Sequence, residues 1–134
     1  MGTGIQTSNG KAFEYACVIA LHEQLEKGQK IIIEDSPQMK TAQKLYGQIS
    51  EDMKPSLDAA ARAAVKIIKR LEPQLVEANG NEPLFLSLQA DAAGIKGDVR
   101  DVLCIRKQNG WELGLSCKHN HHAVKHSRLS DTID

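Results

Sequence analysis

Aromatic side chains are scarce in this chain of 134 residues, at 4% of positions, so any core must be built mainly from aliphatic side chains. Cysteine is scarce too. Cys17, Cys104 and Cys117 stand far apart, each in apolar surroundings. That excludes a disulfide scaffold and suits free, buried thiols in a reducing cytoplasm. No apolar run approaches the ~20 residues that span a bilayer. The opening residues lack the charged and apolar regions of a signal peptide. The chain begins Met1-Gly2, but Gln6 stands where a myristoylation signal needs Ser or Thr. These absences point to the cytoplasm and to no membrane partner. Repeats and low-complexity tracts are missing as well, and nothing divides the chain, so residues 1–134 read as one domain.

Net charge is zero, with 17 basic and 17 acidic residues, so the overall balance does not favour nucleic acid. The distribution says more. Residues 113–130 hold no acid, yet they carry Lys118, Lys125 and Arg128 among His119, His121, His122 and His126. A local basic stretch acts over about a Debye length, roughly 8 Å, and can meet phosphate whatever the net charge.

Residues 1–9 read as a loose tail and 11–27 as a helix closed by Gly28. Residues 30–34 form a short β-branched run. Ser36-Pro37 is an N-cap followed by Pro at the first helical position, so a helix runs from there towards Gln48. A third helix fits 56–71, with Leu57, Ala60, Ala61, Ala64, Val65, Ile68 and Leu71 as its apolar stripe, and stops before Pro73. The pattern then changes. Residues 84–89, 101–107 and 111–118 read as strands, the last two joined by Asn109-Gly110, a strong hairpin signal. The expectation is an α/β chain: N-terminal helices, then an antiparallel three-stranded meander, then a polar turn and a short helix over 123–129. Trp111, Leu113, Leu115 and Cys117 form the core face of the third strand.

If Asn109-Gly110 is a two-residue turn, Gln108 faces Trp111, Leu103 faces Ser116 and Asp101 faces Lys118. Asp101, Ser116 and Lys118 then share one face at the open end of the hairpin. A longer loop or a bulge would change this register. Asp98 has the opposite parity. A carboxylate and an ammonium on adjacent strand ends suit phosphodiester cleavage. The carboxylate holds Mg²⁺, and the ammonium positions the attacking water and offsets charge in the transition state. The structural alternative is an ordinary cross-strand ion pair, worth ~0.2–1 kcal/mol. One Asp alone holds a metal weakly. Glu14 is a further candidate ligand, because Val18, Leu21 and Leu25 follow it four, seven and eleven residues on, along the apolar face of the first helix. Its bland reading is an acid favouring the helix dipole.

A longer pattern decides between these readings. Gly97-Asp98-Val99-Arg100-Asp101-Val102-Leu103 is followed, after the hairpin, by Trp111-Glu112-Leu113-Gly114-Leu115-Ser116-Cys117-Lys118-His119-Asn120-His121 and then Ala123-Val124-Lys125-His126-Ser127-Arg128-Leu129-Ser130. Together with Gly10-Lys11-Ala12-Phe13-Glu14-Tyr15, this resembles the HaeIII restriction endonuclease family, placed among the PD-(D/E)xK nucleases. The resemblance implies Mg²⁺-dependent cleavage of double-stranded DNA within GGCC and a cognate DNA methyltransferase in the same cell, and a homo-oligomer is a further expectation. It matches Asp101 to the metal-binding Asp, with Asp98 competing for that role, Lys118 to the catalytic Lys, and Glu14 to the helix-borne acid. Ser116 departs from the pattern, which has Asp or Glu there. Glu112 shares its parity but lies more than ~13 Å back along the strand, too far to replace it. His119, Asn120, His121, Lys125, His126, Ser127 and Arg128 are then donors to backbone phosphates. Contiguous His-Asn-His at 119–121 does not fit an HNH nuclease, whose motif residues are spread along a ββα unit. Cys117 with His119, His121, His122 and His126 lacks the paired spacing of a zinc site. Members of the family are longer, so the expectation is an N-terminal fragment with an incomplete core, lacking the C-terminal recognition region and poorly active alone. The alternative is a catalytically inactive module that binds DNA or a partner.

Overall fold

A computed structural model describes the backbone of residues 3–76, 82–88, 101–108, 110–118 and 123–128. It describes the side chains of the same residues except 3–9, 116–118 and 123–128. Three helices and five strands follow in the order α1 (Thr3–Leu25), β1 (Ile31–Ile33), α2 (Pro37–Gly47), α3 (Lys54–Leu71), β2 (Leu84–Leu88), β3 (Val102–Arg106), β4 (Trp111–Lys118) and β5 (Ala123–Arg128).

Helix α1 is the central element. Ala12, Phe13, Ala16, Cys17, Val18, Ala20, Leu21 and Leu25 are all buried, too wide an arc for a surface helix. It packs against α2 on one flank and α3 on the other, and it lies on the sheet. Two corrections apply here. The backbone is already helical at Thr3, so residues 3–9 of the expected tail are part of the helix. Gly28 does not make a left-handed cap: α1 runs into a 3₁₀ turn, Glu26–Gly28, and Gln29 turns the chain into extended backbone.

The caps of α2 behave as read. Ser36 Oγ accepts the Met39 N–H at 3.0 Å and Pro37 takes the first turn. In α3, Leu57, Ala61, Val65 and Ile68 are buried, while Leu71, counted in the stripe, is 54% exposed. The Glu72 N–H closes the last turn on the Ile68 carbonyl at 2.8 Å, and Pro73 prevents continuation.

The sheet has five strands in the order β1-β2-β3-β4-β5, where the sequence suggested three. The three expected strands are its centre. β1 adds a parallel strand beside β2, with Ile31 opposite Leu84, and β5 adds an antiparallel strand beside β4. The expected helix over 123–129 is therefore a strand. Ala123 and Val124 are its only apolar residues, so it lacks an apolar alternation to betray it, and it is held by the backbone ladder to β4. The core does not stop at β4 as expected.

The strands alternate cleanly. Leu84, Leu86, Leu88, Val102, Cys104, Trp111, Leu113 and Leu115 are buried beneath the helices, in cross-strand rows such as Leu86, Cys104 and Leu113. Arg106 continues that buried face. It is 1% exposed, and its guanidinium donates to the carbonyls of Gln74 (2.7 and 3.1 Å), Leu75 (3.1 Å) and Glu82 (3.5 Å). It thereby ties both approaches to the 77–81 segment to the end of β3. Among the described residues no helix is long and apolar enough to cross a membrane.

Candidate functional site

The hairpin register is two residues away from the expected one. Arg106 faces Trp111, and Lys107, Gln108, Asn109 and Gly110 form the loop. Lys107 stands in that loop, with its Nζ 3.0 Å from Glu34 Oε2, just after β1, and 4.1 Å above the Phe85 ring. Gly110 then re-enters the strand with φ of 72°, in the left-handed region that glycine accepts without strain. Asn109 lies outside the described residues.

Leu103 therefore faces Gly114, not Ser116, and Val102 faces Leu115. Asp101 is not directly opposite Lys118. Regular continuation puts position 116 across from 101, with 118 two residues further along β4. A shift of two preserves strand parity, so 116 and 118 stay on the side of Glu112 and Gly114, away from the buried row Trp111, Leu113 and Leu115. The rung at Asp101 is skewed. Its N–H donates to the Leu115 carbonyl at 2.7 Å rather than to residue 116. Such a bulge-like rung adds local twist and re-aims the side chain it carries. Asp101 is half-buried at this point.

Glu14 is half-buried on α1, and Val18, Leu21 and Leu25 are buried, so the stripe expected to follow it exists. The helix crosses β2, β3 and β4. Backbone pairing places Lys125 across from Ser116, Ala123 across from Lys118, His126 across from Leu115, Ser127 across from Gly114 and Arg128 across from Leu113. Lys125 thus joins the cross-strand row of Ser116, a placement the helical reading of this segment missed. Asp98, His119, Asn120 and His121 lie outside the described residues. Among the described residues no three His, Cys, Asp or Glu side chains cluster as metal ligands.

The remaining polar features are structural. A crevice of about 70 Å³ opens between α1, α2 and α3, lined by Ala16, Ile19, Ala20, Glu23, Tyr46, Asp58 and Arg62, on the helical layer rather than at the hairpin end. Within it the Tyr46 hydroxyl donates to Asp58 Oδ1 at 2.7 Å. Burial, then the Asp58 bond, push its pKa up to about 12. Cys104 is likewise pushed up to about 12 by burial and is no nucleophile at neutral pH.

The family pattern of the HaeIII restriction endonucleases matches residues 10–134. The chain belongs to that family. It is also 41% identical over 126 residues to the type II restriction enzyme HaeIII of Haemophilus aegyptius, an overlap of 94% of this chain and 39% of the relative. The chain thus spans well under half the length of that relative. No solved structure matches. Asp101, Ser116, Lys118 and Glu14 all fall inside the matched region.

Proposed function

We propose that this chain is the catalytic-core portion of a type II restriction endonuclease that hydrolyses phosphodiester bonds of double-stranded DNA within GGCC. The observation that carries this reading is the family match over residues 10–134, which spans the hairpin whose register brings positions 101, 116 and 118 to one end. The sheet, with α1 across it, would be a PD-(D/E)xK core.

The donor chemistry fits Mg²⁺. That ion takes one or two carboxylates and keeps several waters. Asp101 and Glu14 are half-buried carboxylates of this kind, Glu14 on the helix that covers the buried face of the sheet and position 101 of the opposite parity to that face, with Asp98 as the competing ligand. Bound here, Mg²⁺ would polarise the scissile phosphate and lower the pKa of a coordinated water. Lys118 orients that water, takes up its proton or offsets the growing negative charge. Ser116 adds a neutral hydroxyl where the PD-(D/E)xK superfamily pattern places an acid, which leaves the charge balance to Glu14, Asp101 or Asp98. His119, Asn120, His121, Lys125, His126, Ser127 and Arg128 hold backbone phosphates and set the strand in place. A homo-oligomer and a cognate methyltransferase complete the proposed setting, in the cytoplasm.

The second reading is an inactive DNA-binding or partner-binding module. It draws support from Ser116, a neutral hydroxyl where the superfamily pattern has an acid. The two separate in a chimera in which this chain replaces the matched segment of the Haemophilus enzyme. Cutting at GGCC that requires Mg²⁺ supports the endonuclease. Duplex binding without cutting supports the inactive module.

A further inference from the structure

The endonuclease reading leaves one charged surface unused. From Ala59 to Leu71, α3 carries Arg62, Lys66, Lys69 and Arg70 and no acid, although the chain as a whole is neutral. The buried face of the helix is Leu57, Ala61, Val65 and Ile68. Stepping 100° per residue, the four cations fall together on the side away from that face. Arg62, Lys66 and Arg70 are exposed and Lys69 is half-buried. Arg62 shares the crevice with Glu23 and Asp58. Lys66, Lys69 and Arg70 form no ion pair or hydrogen bond among the described residues. The helix dipole accounts for cations in the last turn, Lys69 and Arg70, but not for Lys66 or Arg62. Helix α3 also packs beside β5, the strand that carries Lys125, His126 and Arg128 and that starts across from Lys118. Two acid-free basic stretches far apart in sequence therefore share one border of the fold.

We propose that the outward face of α3, through Lys66, Lys69 and Arg70, lies against the sugar-phosphate backbone of the duplex. The inference rests on the endonuclease reading and extends its DNA contact from β5 to a helix that otherwise serves packing. Arg62 to Arg70 rises ~12 Å along the axis. Each strand of duplex DNA carries one charge per ~3.4 Å, so a stretch of that length opposes about three or four phosphates of one backbone. Contacts of this kind position the duplex and carry no sequence information.

Salt dependence tests it. Binding of the full chain to a fluorescent duplex lacking GGCC is followed by anisotropy in EDTA, across ~50–200 mM KCl. Neutralising three phosphate contacts lowers the magnitude of the log K against log salt slope by ~2–3. The triple variant Lys66→Gln, Lys69→Gln, Arg70→Gln should show that drop and weaker binding at low salt. Lys66→Arg with Lys69→Arg should keep the wild-type slope. The control Lys27→Gln, Lys30→Gln, Lys44→Gln removes three exposed cations that lie outside α3 and β5 and should leave the slope unchanged. Circular dichroism confirms that each variant is folded; surface changes of this kind stay within ~0.5 kcal/mol. A triple variant with the wild-type slope overturns the α3 surface and leaves the endonuclease reading standing. A wild-type chain that fails to bind duplex at low salt overturns both.

Discussion

Replacing Arg106 should unfold this domain more readily than any other single polar substitution among its described residues. The guanidinium is 1% exposed and makes three bonds of 2.7–3.1 Å, plus a longer one of 3.5 Å, to backbone carbonyls at 74, 75 and 82. Burial lowers its pKa below the ordinary arginine range, and the nearby Glu82 opposes that shift. Glu82 is itself buried, and among the described residues neither of its carboxylate oxygens has a hydrogen-bond partner. Arg106→Met keeps most of the volume. It leaves the carbonyls of Gln74, Leu75 and Glu82 without their donor and Glu82 without the neighbouring positive charge. Removing one partner of a buried charge pair costs ~3–5 kcal/mol, and the packing of Met offsets part of that. A loss of ~3 kcal/mol is a large fraction of the ~7–20 kcal/mol expected for a domain of this size. In urea the midpoint should fall with little change in slope. Adding Glu82→Gln to Arg106→Met should recover ~1 kcal/mol or more, because the stranded charge is gone. An Arg106→Met variant within ~0.5 kcal/mol of wild type would refute the clasp, since surface substitutions fall within that range.

Other outcomes follow from the same structure. Ser36→Ala should cost ~1 kcal/mol in urea unfolding, because the Met39 N–H loses its acceptor, while Ser36→Asp should cost much less. Of the three thiols, Cys17 and Cys104 should resist a neutral-pH thiol reagent in the folded chain and react once it is unfolded, as both are buried thiols outside any disulfide. Tyr46 should ionise only near pH 12, read as the ultraviolet tyrosinate signal, and Tyr46→Phe should remove that step. Its raised pKa favours the neutral phenol in the folded state. The associated stability is therefore complete below pH ~10 and lost as pH rises towards 12.

Much of this fold was legible where physics acts locally. Ser36-Pro37 announces α2, Pro73 ends the α3 region, and the alternation of Leu84, Leu86, Leu88 and of Trp111, Leu113, Leu115 marks strands and their buried face. Part of what escaped depends on distant partners. Strand β5 has too few apolar residues to show a strand period and owes its form to β4. The hairpin register differs by two from that of a two-residue turn because the loop has four residues, a length that Asn109-Gly110 alone does not specify. The parity of Arg106 with Val102 and Cys104 places it on the core side. The skewed rung at Asp101 had no sequence signal.

The central claim is that Lys118 and Asp101 are the chemical groups of a DNA-cutting site. The most direct measurement is single-turnover cleavage of a GGCC duplex by the chimera carrying this chain, alongside duplex affinity measured without metal. Lys118→Ala should abolish cutting while binding stays nearly intact, and Asp101→Asn should abolish cutting through loss of Mg²⁺. Either variant cutting at the unmodified chimera's rate would contradict the account.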